Sequence, residues 1–154
     1  MPPHADPIVR PASLDEIVDL RWAVLRQGMP RAAAVFEGDA DPLSIHVVAL
    51  NHQSVVGCAT LHSSQWNGEP AWQLRGMAVQ PDFQGRGIGR RLLEALDALL
   101  TERGETLRLW CNAREPAVAF YRQMGWQVCS ERFHIETAGP HFRMSRELDE
   151  TVPA

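Results

Sequence analysis

The chain has 154 residues, 45% hydrophobic and 22% charged, with a formal net charge of −4. That length fits one domain, and that composition excludes disordered and fibrous classes. All fifteen basic residues are Arg, which excludes a Schiff-base lysine, a lysine nucleophile and a Walker-A loop. The acidic balance argues against a nucleic-acid partner. Cys58, Cys111 and Cys129 are odd in number and form no Cys-x-x-Cys pair. A disulfide framework or a metal-thiolate site is therefore not expected, no metal is called for, and a reducing, cytoplasmic setting fits. Met1 to Pro11 holds four prolines and no apolar core, unlike a secretory signal. No run approaches the roughly 18 apolar residues of a membrane span, so no membrane partner is expected. The single domain is expected over residues 1–154, with flexible tails at 1–6 and 149–154.

In chain order, Ile8 to Arg10 reads as a short strand. Ser13 followed by Glu16 makes a capping box, and Leu14, Ile17, Val18, Arg21 and Leu25 keep helical spacing to about Arg26. Gly28 and Pro30 stop that helix. A short helix at Ala32–Phe36 and an acidic turn at Gly38–Pro42 come next. Ile45 to Leu50 and Val55 to His62 read as strands joined by a turn at Asn51-His52-Gln53. Gln65 to Pro70 reads as a polar loop, and Trp72 to Val79 as a third strand. A helix follows, with Leu92, Leu96 and Leu99 on its apolar stripe and Gly104 at its end. Thr106 to Cys111 reads as a strand. Pro116 starts a helix to Met124, and Trp126 to Glu136 and His141 to Leu148 close the chain as strands. The fold class is α/β of the α+β type: a mixed, largely antiparallel sheet of six or seven strands with about four helices.

Between the third strand and the long helix lies Gln84-Gly85-Arg86-Gly87-Ile88-Gly89-Arg90. Glycine permits positive φ and close approach of the backbone to a ligand. The first helical turn offers free N–H groups and a positive dipole end, which suits an anion. Arg86, Arg90 and Arg91 oppose that dipole, and no acid lies between Gln84 and Arg91. A bound polyanion resolves the conflict; a plain tight turn with solvated arginines is the other reading. The glycines miss the dinucleotide fingerprint at its last position.

Leu74 to Gly89 resembles the acetyl-CoA signature of the GNAT superfamily of N-acetyltransferases, a strand ending in Ala-Val and then (Gln/Arg)-x-x-Gly-x-(Gly/Ala), matched at Gln84, Gly87 and Gly89. Asn112-Ala113-Arg114, with Ala117, Ala119, Phe120, Tyr121 and Gly125-Trp126, resembles the family's second signature, with Trp126 where Phe is commoner. The two signatures stand in order and one helix plus one strand apart.

The resemblance implies a GNAT-like fold and transfer of an acetyl group from acetyl-CoA, as co-substrate, to a primary amine of a small molecule. It implies that Met77, Ala78 and Val79 meet the pantetheine arm. Gln84, Gly85, Arg86, Gly87, Ile88, Gly89 and Arg90 would hold the pyrophosphate, and Asn112 would contact the arm. Tyr121, the only tyrosine, falls at the general-acid position, and a backbone N–H near Val79 is the expected oxyanion donor. Homodimers are common in the family. The family's carboxylate base has no counterpart between Trp72 and Val79, so His141, His46 and His62 are the candidates, with water as a further one. Arg21, Arg26 and Arg31 lie where the acceptor site is expected; Arg26 there suits an acceptor carboxylate or phosphate. Asp39 and Asp41 would instead suit a cationic amine. A non-catalytic CoA-binding module, serving regulation or assembly, is the alternative function.

Overall fold

The computed structural model describes residues 7–104, 108–136 and 138–148. The tails expected at 1–6 and 149–154 lie outside the described residues. Strand alternation sorts the core into two layers. Along β2 (Ile45–Asn51), Ile45, Val47 and Ala49 face one side of the sheet, and His46 and Val48 face the other. The first side is covered by the long helix α2 (Ile88–Arg103), whose Ile88, Leu92, Leu93, Leu96 and Leu100 are buried. The second side is covered by α1 (Leu14–Leu25), through Ile17 and Leu20 against Val48, Cys58 and Ala78.

The other strands are β1 (Ile8–Pro11), β3 (Ser54–Trp66), β4 (Glu69–Val79), β5 (Arg108–Arg114), β6 (Gln127–Val128), β7 (Phe133–Ile135) and β8 (Gly139–Glu147). They form one sheet in the order β1-β2-β3-β4-β5-β8-β6, with β7 paired to β8. Every pairing is antiparallel except β4 with β5. A short α3 (Val118–Gln123) follows a 3₁₀ turn at Glu115–Ala117 and packs on the α2 side. The expected fold class holds.

Four local expectations change. The segment Trp126–Glu136 splits into β6 and β7, which brings the sheet to eight strands. The helix expected at Ala32–Phe36 is a 3₁₀ turn, Arg31–Ala34, so three α-helices stand among the described residues. The loop expected at Gln65–Pro70 is mostly paired: Gln65 faces Pro70 and Trp66 faces Glu69. Only Asn67 and Gly68 turn, with φ +51° and +82°, the two left-handed residues of a type I′ hairpin. The helix expected from Pro116 is 3₁₀ in its first turn and α-helical from Val118. At the start of α1 the capping box is present: the Glu16 carboxylate accepts the Ser13 N–H at 3.0 Å.

Candidate active site

β4 and β5 pair at only two positions, Trp72 with Leu109 and Gln73 with Trp110. Beyond them β4 runs on to Val79 and β5 to Arg114 without a shared ladder. The strands splay, and the gap joins the two faces of the sheet. Gln80 N–H donates to Val56 O on β3 at 2.8 Å. Alternation along the strand then turns the backbone of Val79 and Met77 towards the open side. Ala78 points the other way and is buried under α1.

On the α2 side the splay opens into a groove of about 920 Å³. Met77, Val79, Gln84, Gly85, Gly87 and Gly89 line it, with Ile88 and Arg90. Gly85 and Gly87 have φ +77° and +81°, and Gly87 caps α2 without a side-chain bond. No acid stands in the first turn of α2. The N–H groups of Ile88, Gly89 and Arg90 thus have no intrahelical acceptor, and the helix dipole favours an anion in front of them. A Cβ on Gly89 would lie 3.1 Å from the Phe120 ring, so glycine lets this turn seat against α3. The Gln84 side chain donates to Val79 O at 3.0 Å and ties the loop to the strand. Arg86 lies outside the groove lining and stacks over Phe83 at 5.0 Å.

On the α1 side a smaller cavity of about 320 Å³ holds Tyr121, Asn112 and His141. Its wall also carries Arg26, Phe36, Arg75 and Arg114. Met77, Ala117 and Phe120 line both spaces, so groove and cavity meet at the splay. The family model described as an acetyltransferase (GNAT) domain matches residues 42–128. This chain belongs to the GNAT acetyltransferase family.

The GNAT chain is 32% identical over 102 residues to a mycothiol acetyltransferase from Propionibacterium freudenreichii, a match covering 65% of this chain and 33% of that one. It spans between 17% and 39% of the length of three of the curated relatives it matches. Among solved folds, Escherichia coli ElaA superposes with a TM-score of 0.76 at 18% identity, covering 92% of this chain and 99% of that one. An aminoglycoside 6′-N-acetyltransferase solved with coenzyme A superposes with a TM-score of 0.72 at 17% identity, covering 91% and 96%.

In this GNAT domain Tyr121 is 7% exposed and sits edge-on to Phe120, with Trp126 5.5 Å away. Its hydroxyl has no hydrogen-bond partner among the described residues. Burial, chiefly, raises its pKa far above the ordinary tyrosine value. His141 is 4% exposed. Its Nδ1 lies 2.8 Å from Gly139 O; a carbonyl only accepts, so in the neutral ring Nδ1 carries the proton and Nε2 the lone pair. Phe133 holds the ring from one side, 5.9 Å between centroids.

The other two histidines do not reach the site. His46 Nδ1 is 2.7 Å from Thr60 Oγ1 and its Nε2 donates to Asp39 O at 3.0 Å. With both nitrogens engaged, and neither cavity lined by it, His46 is corrected from base candidate to structural residue. His62 Nε2 is 2.8 Å from Asp39 Oδ1, also outside both cavities. Asp39 is corrected too. It is 2% exposed and its carboxylate serves Arg21, His62 and the Phe36 N–H, so it offers no surface charge to a cationic amine. Desolvation alone would raise its pKa; the bonds from His62, Arg21 and Phe36 reverse that and hold it well below the ordinary value. Asp41 is exposed and caps the Leu43 N–H. Arg31 is exposed and pairs with Asp19.

Arg75 and Arg114 belong to the cavity and were not singled out by sequence. Arg114 stands two residues from Asn112, which was, on the same face of β5 with Ala113 buried between them, and Arg75 alternates likewise with buried Leu74 on β4. Among the described residues no group of three His, Cys, Asp or Glu could hold a metal, and no helix is long and apolar enough to cross a membrane.

Proposed function

We propose that the chain is an N-acetyltransferase that moves an acetyl group from acetyl-CoA to the primary amine of a small molecule by direct attack. The continuity of the glycine-turn groove with the Tyr121 cavity, through the β4/β5 splay, carries this reading. The residues fit the co-substrate: three free helix N–H groups stand where a diphosphate needs donors, with no acid in the first turn of α2, and the two acids that line the groove further along the helix, Glu94 and Asp97, are each paired with an arginine. The unpaired backbone at Met77 and Val79 suits the amides of an extended arm. When bound, acetyl-CoA supplies a thioester carbonyl open to attack and a thiolate that leaves.

The protein's share is positioning and proton movement. The Val79 N–H, turned to the open side, is the donor for the developing oxyanion. Tyr121 stays protonated and donates from its hydroxyl to the leaving sulfur. His141 Nε2 takes the proton that the amine loses, directly or through one water. A cavity of about 320 Å³ is at the small end of ligand sites, which favours a small acceptor over a protein chain.

A thermal-shift titration with acetyl-CoA, CoA and NAD tests the reading. A ligand at about 100 times its Kd adds roughly 2.7 kcal/mol, or about 5–10 °C at this size. A rise with both CoA species and none with NAD is expected. No rise with either CoA species in folded protein overturns the reading. Transfer or hydrolysis of acetyl-CoA that is lost in Tyr121→Phe separates an enzyme from a CoA-binding module.

A further inference from the structure

Seven of the fifteen arginines, Arg21 among them, lie within 4.0 Å of a carboxylate. Arg26, Arg75 and Arg114 are half-buried, line one cavity, and have no carboxylate partner among the described residues. Among the described residues no Asp or Glu lines that cavity. The buried carboxylate nearby, Asp39, is consumed by Arg21 and His62.

The three come from the C-cap of α1, from β4 and from β5, and converge. Arg26 and Arg114 both donate to the Leu25 carbonyl, at 3.0 and 3.5 Å. Arg26 and Arg75 both lie over the Phe36 ring, at 5.0 and 4.5 Å. Burial, then Arg114, Arg75 and Arg21, disfavours the charge on Arg26; burial chiefly, with Arg21, does so on Arg75, and Asp39 and Glu37 offset only part of it. Partly desolvated like charges at such spacing cost free energy unless an anion joins them. A guanidinium presents paired N–H donors that match an oxyanion bidentately.

We infer that this cavity is an oxyanion subsite, and that the acceptor is a small amine whose other end carries a carboxylate or phosphate held by Arg26, Arg75 and Arg114. The inference rests on the acetyltransferase reading and names its substrate class. The three positive charges also disfavour protonation of an amine bound beside them, so the subsite helps deliver the neutral nucleophile that His141 serves.

The test compares the common amino acids with their carboxamides, phosphoethanolamine with ethanolamine, and spermidine, by initial rates of thiol release from acetyl-CoA. An anionic-tailed amine is expected to exceed its neutral partner at least tenfold in kcat/KM. Which pair shows it separates carboxylate from phosphate. Arg75→Gln, Arg114→Gln and Arg26→Gln should each raise KM with less change in kcat and bring the pair towards parity, while keeping the Tm rise with CoA that reports folding. Turnover of carboxamides or spermidine at equal or better efficiency overturns the inference. Where no amine is turned over, the Tm of CoA-saturated protein decides: stabilisation by an anionic member over its neutral partner, lost in Arg75→Gln, supports the subsite, and equal response overturns it. A protein that gains nothing from CoA defeats the functional reading instead, and the same paired comparison without CoA still decides the subsite.

Discussion

Arg21 lies against Gly76. A methyl group at Gly76 would come within 2.5 Å of Arg21 Nε, and that Nε has no hydrogen-bond partner among the described residues. Gly76 has φ +65° and marks the point where the β3/β4 register shifts by one residue, between the Cys58–Ala78 and Thr60–Arg75 pairs. The bulge changes which residues of β4 face α1. It puts Arg75 on the cavity side opposite Thr60, and it leaves room for the Arg21 guanidinium to reach Thr60 Oγ1 at 2.7 Å and both Asp39 oxygens, at 2.5 and 3.1 Å.

Gly76→Ala therefore strikes twice. The left-handed φ is costly for alanine, and the Cβ displaces a fully buried guanidinium from its carboxylate. Breaking a buried pair of this kind costs about 3–5 kcal/mol. Urea or guanidinium unfolding should show a loss of that order, with the slope unchanged. A loss below about 1 kcal/mol would mean that Arg21 can move without leaving Asp39.

Tyr121→Phe separates chemistry from packing. The ring packs against Phe120 and Trp126, and its hydroxyl bonds no described residue, so stability should hold within about 0.5 kcal/mol. The proposed proton donation disappears. We expect kcat to fall roughly 10- to 1000-fold with the CoA-induced Tm rise intact. An unchanged kcat removes Tyr121 from the mechanism.

His141→Gln tests the base. Gln keeps a donor for Gly139 O but presents no nitrogen lone pair that can take a proton. The expected result is a fall in kcat/KM of about 10²–10⁴, with the CoA-induced Tm rise intact. An unchanged kcat/KM assigns the proton to water alone.

Cysteine reactivity offers a check on the burial pattern. Burial pushes the Cys58 and Cys111 thiols up to about 12, and both are buried, while Cys129 is exposed. The thiolate is the reactive form. At pH 8 one thiol per chain, Cys129, should react rapidly with a disulfide reagent, and three after denaturation. Cys129→Ser should abolish the rapid phase. Fast labelling of Cys111, which borders the Tyr121 cavity, would mean that the splay admits solvent more freely than the structure implies.

What was legible in the sequence was local. The glycine turn, the Ser13–Glu16 box and the Leu stripe of α2 each lie within a few residues, and Tyr121 stands inside a continuous signature. The Asn67-Gly68 hairpin was also local, yet Gln65 and Pro70 around it read as loop; cross-strand pairing of Trp66 with Glu69 outweighs that tendency. Of the arginine cavity only Arg26 was legible, because Arg26, Arg75 and Arg114 come from three parts of the chain that only the sheet order brings together. The same holds for Asp39. Its place in an acidic-looking turn suggests solvent, and nothing near it in sequence announces Arg21 or His62.

That buried network makes a prediction about pH. Thr60, Asp39, Arg21 and His62 surround His46. Burial, against the pull of Asp39, holds the folded pKa of His46 below its ordinary value. The unfolded chain then binds the extra proton first, as pH falls below about 6.5, so stability must decline there. The His46 contribution is complete above that pH and is lost as pH drops towards the lowered folded value. Asp39 acts in the same direction at lower pH: its folded pKa is also depressed, so its contribution is present above about 3.9 and is lost below. Tm should be level between pH 7 and 8, fall below about 6.5, and fall more steeply below about 4. His46→Gln should flatten the first decline relative to the wild type while keeping the second. A wild-type Tm level from pH 7 to 5, or a variant with the same slope there, would show that His46 accepts its proton inside the fold, and that the Thr60 and Asp39 bonds tolerate it.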